Sequence, residues 1–256
     1  PYRRQRQMCI RDSDCMRNTV STYIRRLRCI YNKAVENGDA EYIPGLFQGV
    51  FTGVESKRKK SLSLENQHKL MTVKVESEVL RETQLVVCLL FQYAGMSFVD
   101  FAHLKERNIK NGILDYNRQK TGTPMRLEIL DTAELMRKEL MGDKKPASGY
   151  LFPFLSGTKT GYEAYLEYNA ALSRFNRNLK ALKKAAGIAS NVTSYTIRHS
   201  FAMALKEQNV PIEMISELLG HKSIKTTQIY LRSFSLEKMT EVNSTCFGLS
   251  LIHISE

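Results

Sequence analysis

Three residues in the second half of the chain have the side chains needed to attack a phosphodiester. Arg198 lies in the string TIRHSFA, and His221 and Tyr230 lie in LLGHKSIKTTQIYL. A tyrosine supplies an oxygen nucleophile, and an arginine holds two phosphate oxygens in a bidentate fork. A histidine donates to a third oxygen or handles the proton of the phenol. The set predicts a site that attacks a phosphodiester.

The joined strings carry more information than any one of these residues. The chain contains 12 tyrosines, and a lone helical Arg or a lone His after a Gly is more often a surface or capping residue. The strings RHSFA and LGHKSIKTTQIYL, in this order, resemble the tyrosine recombinases (the phage-integrase family). The pattern of that family reads Arg, Lys, His-x-x-Arg, His, Tyr.

The resemblance implies a role for each matching residue. Tyr230 would attack the scissile phosphorus and displace the deoxyribose 5′ oxygen, which leaves a 3′-phosphotyrosine link. This link retains the energy of the phosphodiester, so rejoining needs no nucleotide cofactor, and no metal is expected. Arg198 would hold the non-bridging phosphate oxygens, His221 would donate to a further oxygen or handle the proton of the phenol, and His199 would help to order the site. Lys120, in the turn RQKTG, would protonate the leaving 5′ oxygen.

The chain departs from the family pattern at two positions. Tyr195 stands where His-x-x-Arg begins with His, and a tyrosine hydroxyl still donates a hydrogen bond to phosphate. Ser97, in YAGMSFVDFAHLK, stands where the first Arg is expected, and a serine cannot replace a delocalised charge with two donors. Either catalysis is weakened or another cation takes over, with Arg118 as the first candidate. A subset of mobile-element integrases resembles this variant string and retains activity, which favours a substitute cation. The further candidates are Arg126, Lys105 and Arg107.

The two ends of the chain are interpreted as translated sequencing adapters. Residues 3–13, RRQRQMCIRDS, back-translate to a string that contains AGATGTGTATAAGAGACAG, and residues 249–256, LSLIHISE, to one that contains CTGTCTCTTATACACATCT. The second string is the reverse complement of the first. A native basic arm and a native apolar tail would have to mirror each other by chance. We therefore expect residues 1–13 and 249–256 to be adapter rather than native protein.

The charge balance favours a polyanionic partner. The two end segments contain four Arg and two acidic residues, so without them the formal net charge of +12 falls to about +10. Such a balance suits nucleic acid. The cysteines outside the two end segments are Cys15, Cys29, Cys88 and Cys246. They show no paired metal-ligand spacing, which favours reduced thiols in a cytoplasmic protein. No uninterrupted apolar stretch is long enough to span a membrane.

Apolar residues recur at helical spacing through most of the chain. The predicted helices cover about residues 18–36, a short segment capped by Ser63, 76–94, 132–141, 162–186, 194–208, 211–219 and 223–232. Asn18 or Thr19 would cap the first helix, and Asn37-Gly38 would end it. Residues 109–116 and 125–129 predict two strands joined by the turn NRQKTGTP.

The predicted fold class is therefore α+β and mostly helical. By resemblance, residues 14–60 correspond to a truncated, helical core-binding domain with a basic linker. Residues 61–248 correspond to a tyrosine-recombinase-like catalytic domain with a small β hairpin.

The resemblance implies site-specific DNA cleavage and rejoining, in the integration or excision of a mobile element. One alternative is a type IB topoisomerase, which shares this chemistry but relaxes DNA without assembly on paired sites. The other is a DNA-binding protein on a degenerate scaffold, which Ser97 and Tyr195 support. The expected partners are double-stranded DNA, further copies of the full-length protein in a tetramer on paired sites, and accessory DNA-bending proteins. No membrane partner is expected.

Overall fold

The computed structural model describes residues 15–53, 61–144, 149–231, 240 and 243–244, without the side chains of Ile229 and Tyr230. The segments interpreted as adapter, residues 1–13 and 249–256, lie outside the described residues, as do Cys246 and the basic linker, residues 55–60. The chain divides into two compact units, residues 1–58 and residues 59–256. The interpretation of the first unit as a partial core-binding domain stays a prediction.

The first unit contains one described helix, α1 (Arg17–Glu36). The N-cap is Met16, whose carbonyl accepts hydrogen bonds from the amides of Thr19 and Val20. The prediction of Asn18 or Thr19 as the cap is therefore wrong, because both lie inside the first turn. The helix ends at Glu36 with Asn37 as its C-cap, as predicted. The loop after the helix is held by the Tyr31 hydroxyl, which donates to the carbonyl of Glu41 and accepts from the amide of Ile43.

The second unit is helical with one small sheet. Its helices are α2 (Leu64–Thr72), α3 (Glu78–Gln92), α4 (Phe98–Ala102), α5 (Asp131–Met141), α6 (Gly161–Ala185), α7 (Ser194–Glu207), α8 (Ile212–Leu218) and α9 (Ile224–Tyr230), with a 3-10 turn at Glu106–Asn108. Ser63 caps α2 by accepting from the Asn66 amide. The mostly helical α+β class is confirmed. The bounds of the predicted helices differ from the observed ones by at most two residues, and α4 was not predicted.

The core of this unit forms around α3. Every residue from Thr83 to Leu90 is buried, and α2, α5, α6 and α7 pack against this helix. The short helix α4 is held by aromatic stacking: Phe98 lies 4.6 Å from Phe175, and Phe101 lies 4.2 Å from Phe152, between ring centroids. Burial of aromatic rings in such pairs fixes an element firmly. The stacking therefore also fixes the positions of Ser97 and Asp100, which lie at the start of α4.

The sheet has three antiparallel strands, β1 (Ile109–Lys110), β2 (Ile113–Asn117) and β3 (Pro124–Glu128), in that order. The prediction of a single strand over residues 109–116 is wrong, because Asn111-Gly112 forms a tight turn inside it. Both residues have positive φ, 52° and 74°, as a two-residue hairpin turn requires. Leu114 and Tyr116 on β2 point to the core, and Asp115 and Asn117 are exposed.

The last three helices form a second, smaller apolar cluster. Ala202 of α7, Ile215 of α8 and Leu219 are buried together, with Phe201, Leu205, Val210 and Leu231 packed around them. These helices confirm the predicted segments at 194–208, 211–219 and 223–232. Within the described part of the chain, each helix is too short or too polar to cross a membrane.

Candidate active site

Arg198 lies buried in the first half of α7. A capping box formed by Thr193 and Thr196 starts this helix, and Ile197, with no exposed surface, anchors it in the core. The Arg198 side chain is only 6% exposed. Its guanidinium donates to the carbonyl of Gly95 over 2.8 Å and to the carbonyl of Leu219. Two carbonyl acceptors therefore fix the plane of the guanidinium.

Arg118 lies at the start of the β2–β3 turn and is equally buried, at 8% exposed. Its Nη1 donates to the carbonyl of Gly220 over 2.9 Å. Its Nε lies 3.6 Å from Oδ2 of Asp100, an ion pair with almost no exposed surface on either side chain. The turn is closed by its own backbone, because the Arg118 amide donates to Thr123 and the Gly122 amide donates to Arg118.

Asp100 joins α4 to this turn. Its Oδ1 accepts from the backbone amide of Gln119 over 2.7 Å, and its Oδ2 accepts from the hydroxyl of Ser97 over 2.5 Å. The carboxylate that follows Ser97 is thus paired with a guanidinium from the hairpin. The Ser97 side chain is held beside that pair and makes the short hydrogen bond to Asp100.

The cluster is electropositive. Among the Asp, Glu, Lys and Arg side chains that the structure describes, the buried ones are Asp100, Arg118 and Arg198. The cluster therefore contains two guanidinium groups and one carboxylate, and that carboxylate pairs with Arg118. Burial raises the pKa of the nearby Tyr116 phenol above its usual range, and the negative charge of Asp100 raises it further, while the two guanidinium groups oppose the shift. A buried excess of one positive charge favours an anionic ligand.

Gly220 allows Arg118 to come close to the backbone before His221. Its φ is +59°, and a Cβ added there would lie 2.5 Å from Sδ of Met125 and 2.6 Å from Cδ of Arg118. Such distances are far inside van der Waals contact, so a side chain at this position would displace the arginine. The absence of a Cβ therefore matters here for both conformation and space.

His221 follows this glycine and is half-buried. Its backbone amide donates to the carbonyl of Ser216 over 2.9 Å. Its Nδ1 lies 2.8 Å from the hydroxyl oxygen of Thr227, a residue of α9 that has no exposed surface. The imidazole is thus oriented by the helix that carries Tyr230. Sequence reasoning missed Thr227, because nothing in the string KTTQIY distinguishes a hydrogen-bond partner from an ordinary helical threonine.

The other predicted site residues differ widely in exposure. Lys120 is exposed in the β2–β3 turn, two residues after Arg118. Tyr195 is 51% exposed on the first turn of α7, whereas His199 is 1% exposed beside Arg198 in the sequence. The backbone of Tyr230 ends α9, but its side chain lies outside the described residues. The structure therefore brings together Arg118, Arg198 and the loop before His221. In the described ranges, no three His, Cys, Asp or Glu side chains are grouped to hold a metal ion.

Comparison with known proteins gives matches to recombinases. The Phage integrase family matches residues 60–237. The tyrosine recombinase XerC of Rickettsia canadensis (strain McKiel) is 40% identical over 75 residues, which are 29% of this chain and 24% of XerC. The tyrosine recombinase XerD of Lacticaseibacillus casei is 50% identical over 54 residues, 21% of this chain and 18% of XerD. The chain thus aligns with about a quarter or less of the length of these curated relatives.

Solved structures share the fold at low sequence identity. The Tn1549 transposon integrase in complex with a circular intermediate DNA superposes with a TM-score of 0.65 at 15% identity, over 93% of this chain and 82% of that chain. The XerH site-specific recombinase bound to difH substrate gives a TM-score of 0.61 at 18% identity, over 90% of this chain and 65% of that chain. Because the family match spans well over half of the residues and the fold agrees with it, this chain belongs to the phage integrase family of tyrosine recombinases.

Proposed function

We propose that this protein cuts and rejoins DNA strands at specific sites through a 3′-phosphotyrosine at Tyr230, in the integration or excision of a mobile element. The observation that supports this most is the convergence of two buried guanidinium groups, Arg118 and Arg198, on the backbone next to His221. Phosphoryl transfer is catalysed chiefly by positioning and by stabilisation of charge on the non-bridging oxygens. Two fixed cations meet that need.

In the cleavage step, the phenol oxygen of Tyr230 gives up its proton to water and attacks the scissile phosphorus, and the bond from phosphorus to the 5′ oxygen breaks. Arg118 and Arg198 hold the non-bridging oxygens while the transition state forms. Their carbonyl and carboxylate partners orient them before DNA arrives, so little reorganisation accompanies the reaction. Lys120 gives a proton to the leaving 5′ oxygen, and its exposed turn position suits a long amine that reaches a bound strand.

Rejoining reverses these events. A 5′ hydroxyl attacks the phosphotyrosine, the tyrosine is released, and no nucleotide is consumed because the phosphoester is conserved throughout. When the attacking hydroxyl belongs to another duplex, the result is strand exchange. Exchange needs several copies on paired sites, so we also propose that the full-length protein assembles as a tetramer on double-stranded DNA, aided by DNA-bending proteins.

The pairing of Arg118 with Asp100 supports an active enzyme over a purely DNA-binding protein. Ser97 by itself favours a purely DNA-binding protein, because it replaces the first arginine of the family pattern. An arginine from the hairpin, however, pairs with the carboxylate three residues after Ser97. The site thus contains a second guanidinium, and we assign Arg118 the part of the first family arginine.

A suicide substrate tests the proposal. A duplex that carries the end of the element is nicked next to the scissile phosphate, so that cleavage releases a short fragment and the adduct cannot be reversed. We expect a covalent DNA–protein band that depends on the sequence of the end. Relaxation of supercoiled plasmid without site preference would instead indicate a topoisomerase. DNA binding with no adduct would indicate a non-catalytic protein.

A further inference from the structure

The hydroxyl of Thr227 makes one hydrogen bond that has a direct chemical consequence. It lies 2.8 Å from Nδ1 of His221, and the threonine has no exposed surface. Among the residues that the structure describes, this is the one hydrogen bond recorded for the Thr227 side chain. A buried hydroxyl needs an acceptor for its proton. Nδ1 of His221 is therefore that acceptor.

This donor–acceptor order decides the tautomer of His221. A neutral imidazole carries its proton on one nitrogen and accepts on the other. If the Thr227 hydroxyl donates to Nδ1, the proton of the imidazole resides on Nε2. An Nε2–H group donates a hydrogen bond to an oxygen anion, whereas a bare Nε2 would accept a proton from a phenol. The hydrogen bond thus selects between the two roles open to this histidine.

We propose that Thr227 is a positioning residue that holds His221 as the Nε2–H tautomer, so that His221 donates to a phosphate oxygen instead of deprotonating Tyr230. This inference rests on the proposed function of the site. Thr227 also lies one helical turn before Tyr230 on α9. The same hydrogen bond therefore links the helix that carries the nucleophile to the loop that carries His221.

The tautomer is measured directly, without reference to activity. The full chain is labelled with ¹⁵N in its five histidines, and the His221 signals are assigned from their loss in His221→Gln. The bare nitrogen of a neutral imidazole resonates far downfield of the protonated one. We expect Nε2 to be protonated in the parent and in Thr227→Ser, and a mixture of tautomers in Thr227→Val. A protonated Nδ1 in the parent would overturn the proposal, whether or not the protein cleaves DNA.

Adduct formation on the suicide substrate supplies the second test. Thr227→Val should react on the order of tenfold more slowly, which corresponds to one lost hydrogen bond, and Thr227→Ser should recover most of the rate. His221→Gln places an amide N–H near the position of Nε2 but cannot act as a base, so it should be more active than His221→Ala. Equal inactivity of the Gln and Ala variants would show that His221 acts as a base and would overturn the proposal. If the parent forms no adduct, the proposed function fails, and the tautomer measurement still decides the role of Thr227.

Discussion

Arg118 and Arg198 donate to the carbonyls of two consecutive residues, Gly220 and Leu219, although one side chain comes from a hairpin turn and the other from a helix. Both carbonyls lie directly before His221. Each guanidinium has a second anchor, Asp100 for Arg118 and the Gly95 carbonyl for Arg198. The two cations are therefore held in place by the fold itself, before any DNA is bound.

The first prediction concerns Arg118. Its replacement by Ala removes one of the two guanidinium groups that would stabilise the transition state, and one such donor contributes about 3–4 kcal/mol. We expect Arg118→Ala to slow adduct formation on the suicide substrate by about 10²–10³-fold, with DNA binding little changed. Arg126→Ala is the matched control, because Arg126 lies on the same hairpin but is exposed.

A second variant tests whether an arginine at position 97 can compensate for the loss of Arg118. Ser97 lies within hydrogen-bond distance of Asp100, the carboxylate that pairs with Arg118. Ser97→Arg in the Arg118→Ala background should therefore recover part of the activity. If Arg118→Ala reacts as fast as the parent, Arg118 is not the substitute cation.

The second prediction concerns Gly220. A Cβ at this position would overlap Cδ of Arg118 and Sδ of Met125, and a non-glycine residue at positive φ costs about 1–3 kcal/mol. Gly220→Ala should lower both the free energy of unfolding and the cleavage rate. Gly122→Ala is the control, since Gly122 also has positive φ but has open space around it. Equal cleavage rates for the two variants would mean that the position of Arg118 does not matter.

The helices could be predicted from the sequence because apolar spacing reports which face is buried. The buried face of α6, for example, contains Ala171, Phe175, Leu179 and Leu182, which recur at helical intervals. The sheet was predicted less well. The apolar residues on both sides of Asn111-Gly112 predict one continuous strand. The Asn-Gly dipeptide is itself a strong signal for a hairpin turn, and this signal was not used.

The candidate site could be predicted only as a set of residues. The sequence leaves four candidate substitutes for the missing arginine, which are Arg118, Arg126, Lys105 and Arg107. Spacing along the chain does not show which of these side chains reaches the carboxylate of Asp100 in the folded protein. Burial distinguishes them, because Arg118 is buried, Lys105 is half-buried, and Arg126 and Arg107 are exposed. The contacts of Gly95 and Thr227 are tertiary, and no local pattern carries them.

The third prediction concerns the salt dependence of DNA binding. Four basic residues of α6 are exposed; they are Arg174, Arg177, Lys180 and Lys184. With a net charge of about +10, we expect the logarithm of the affinity to fall with the logarithm of salt concentration, with a slope equivalent to about five or more phosphate contacts. Lys180→Ala should reduce this slope by about one contact.

Lys69→Ala is the control for that series, because Lys69 is already paired with Glu65 over 2.6 Å. It should leave the slope unchanged. An affinity that does not depend on salt would contradict an interface based on phosphate contacts.

The fourth prediction concerns stability at alkaline pH. Burial raises the pKa of the Cys88 thiol from 9.0 to about 11, with a smaller opposing effect of Arg81. The unfolded chain therefore loses this proton at lower pH than the folded protein does. The corresponding stability is fully present below about pH 9 and is lost as the pH rises from about 9 to about 11.

Urea unfolding measured across that range tests this. Cys88→Ala should be less stable at neutral pH but should show a flatter decline between pH 9 and 11. Cys29→Ala, at an exposed position, should decline like the parent. If the free energy of unfolding falls with pH equally steeply in Cys88→Ala and in the parent, the buried thiol is excluded as the cause of the decline.

The most direct test of the account is the identity of the residue that becomes linked to DNA. The trapped adduct is digested with protease and nuclease, and the modified peptide is sequenced by mass spectrometry. We expect the phosphate on Tyr230, no adduct from Tyr230→Phe although this variant binds DNA as the parent does, and an adduct from Tyr195→Phe. A covalent adduct formed by Tyr230→Phe, or a phosphate found on any other residue, would contradict the account.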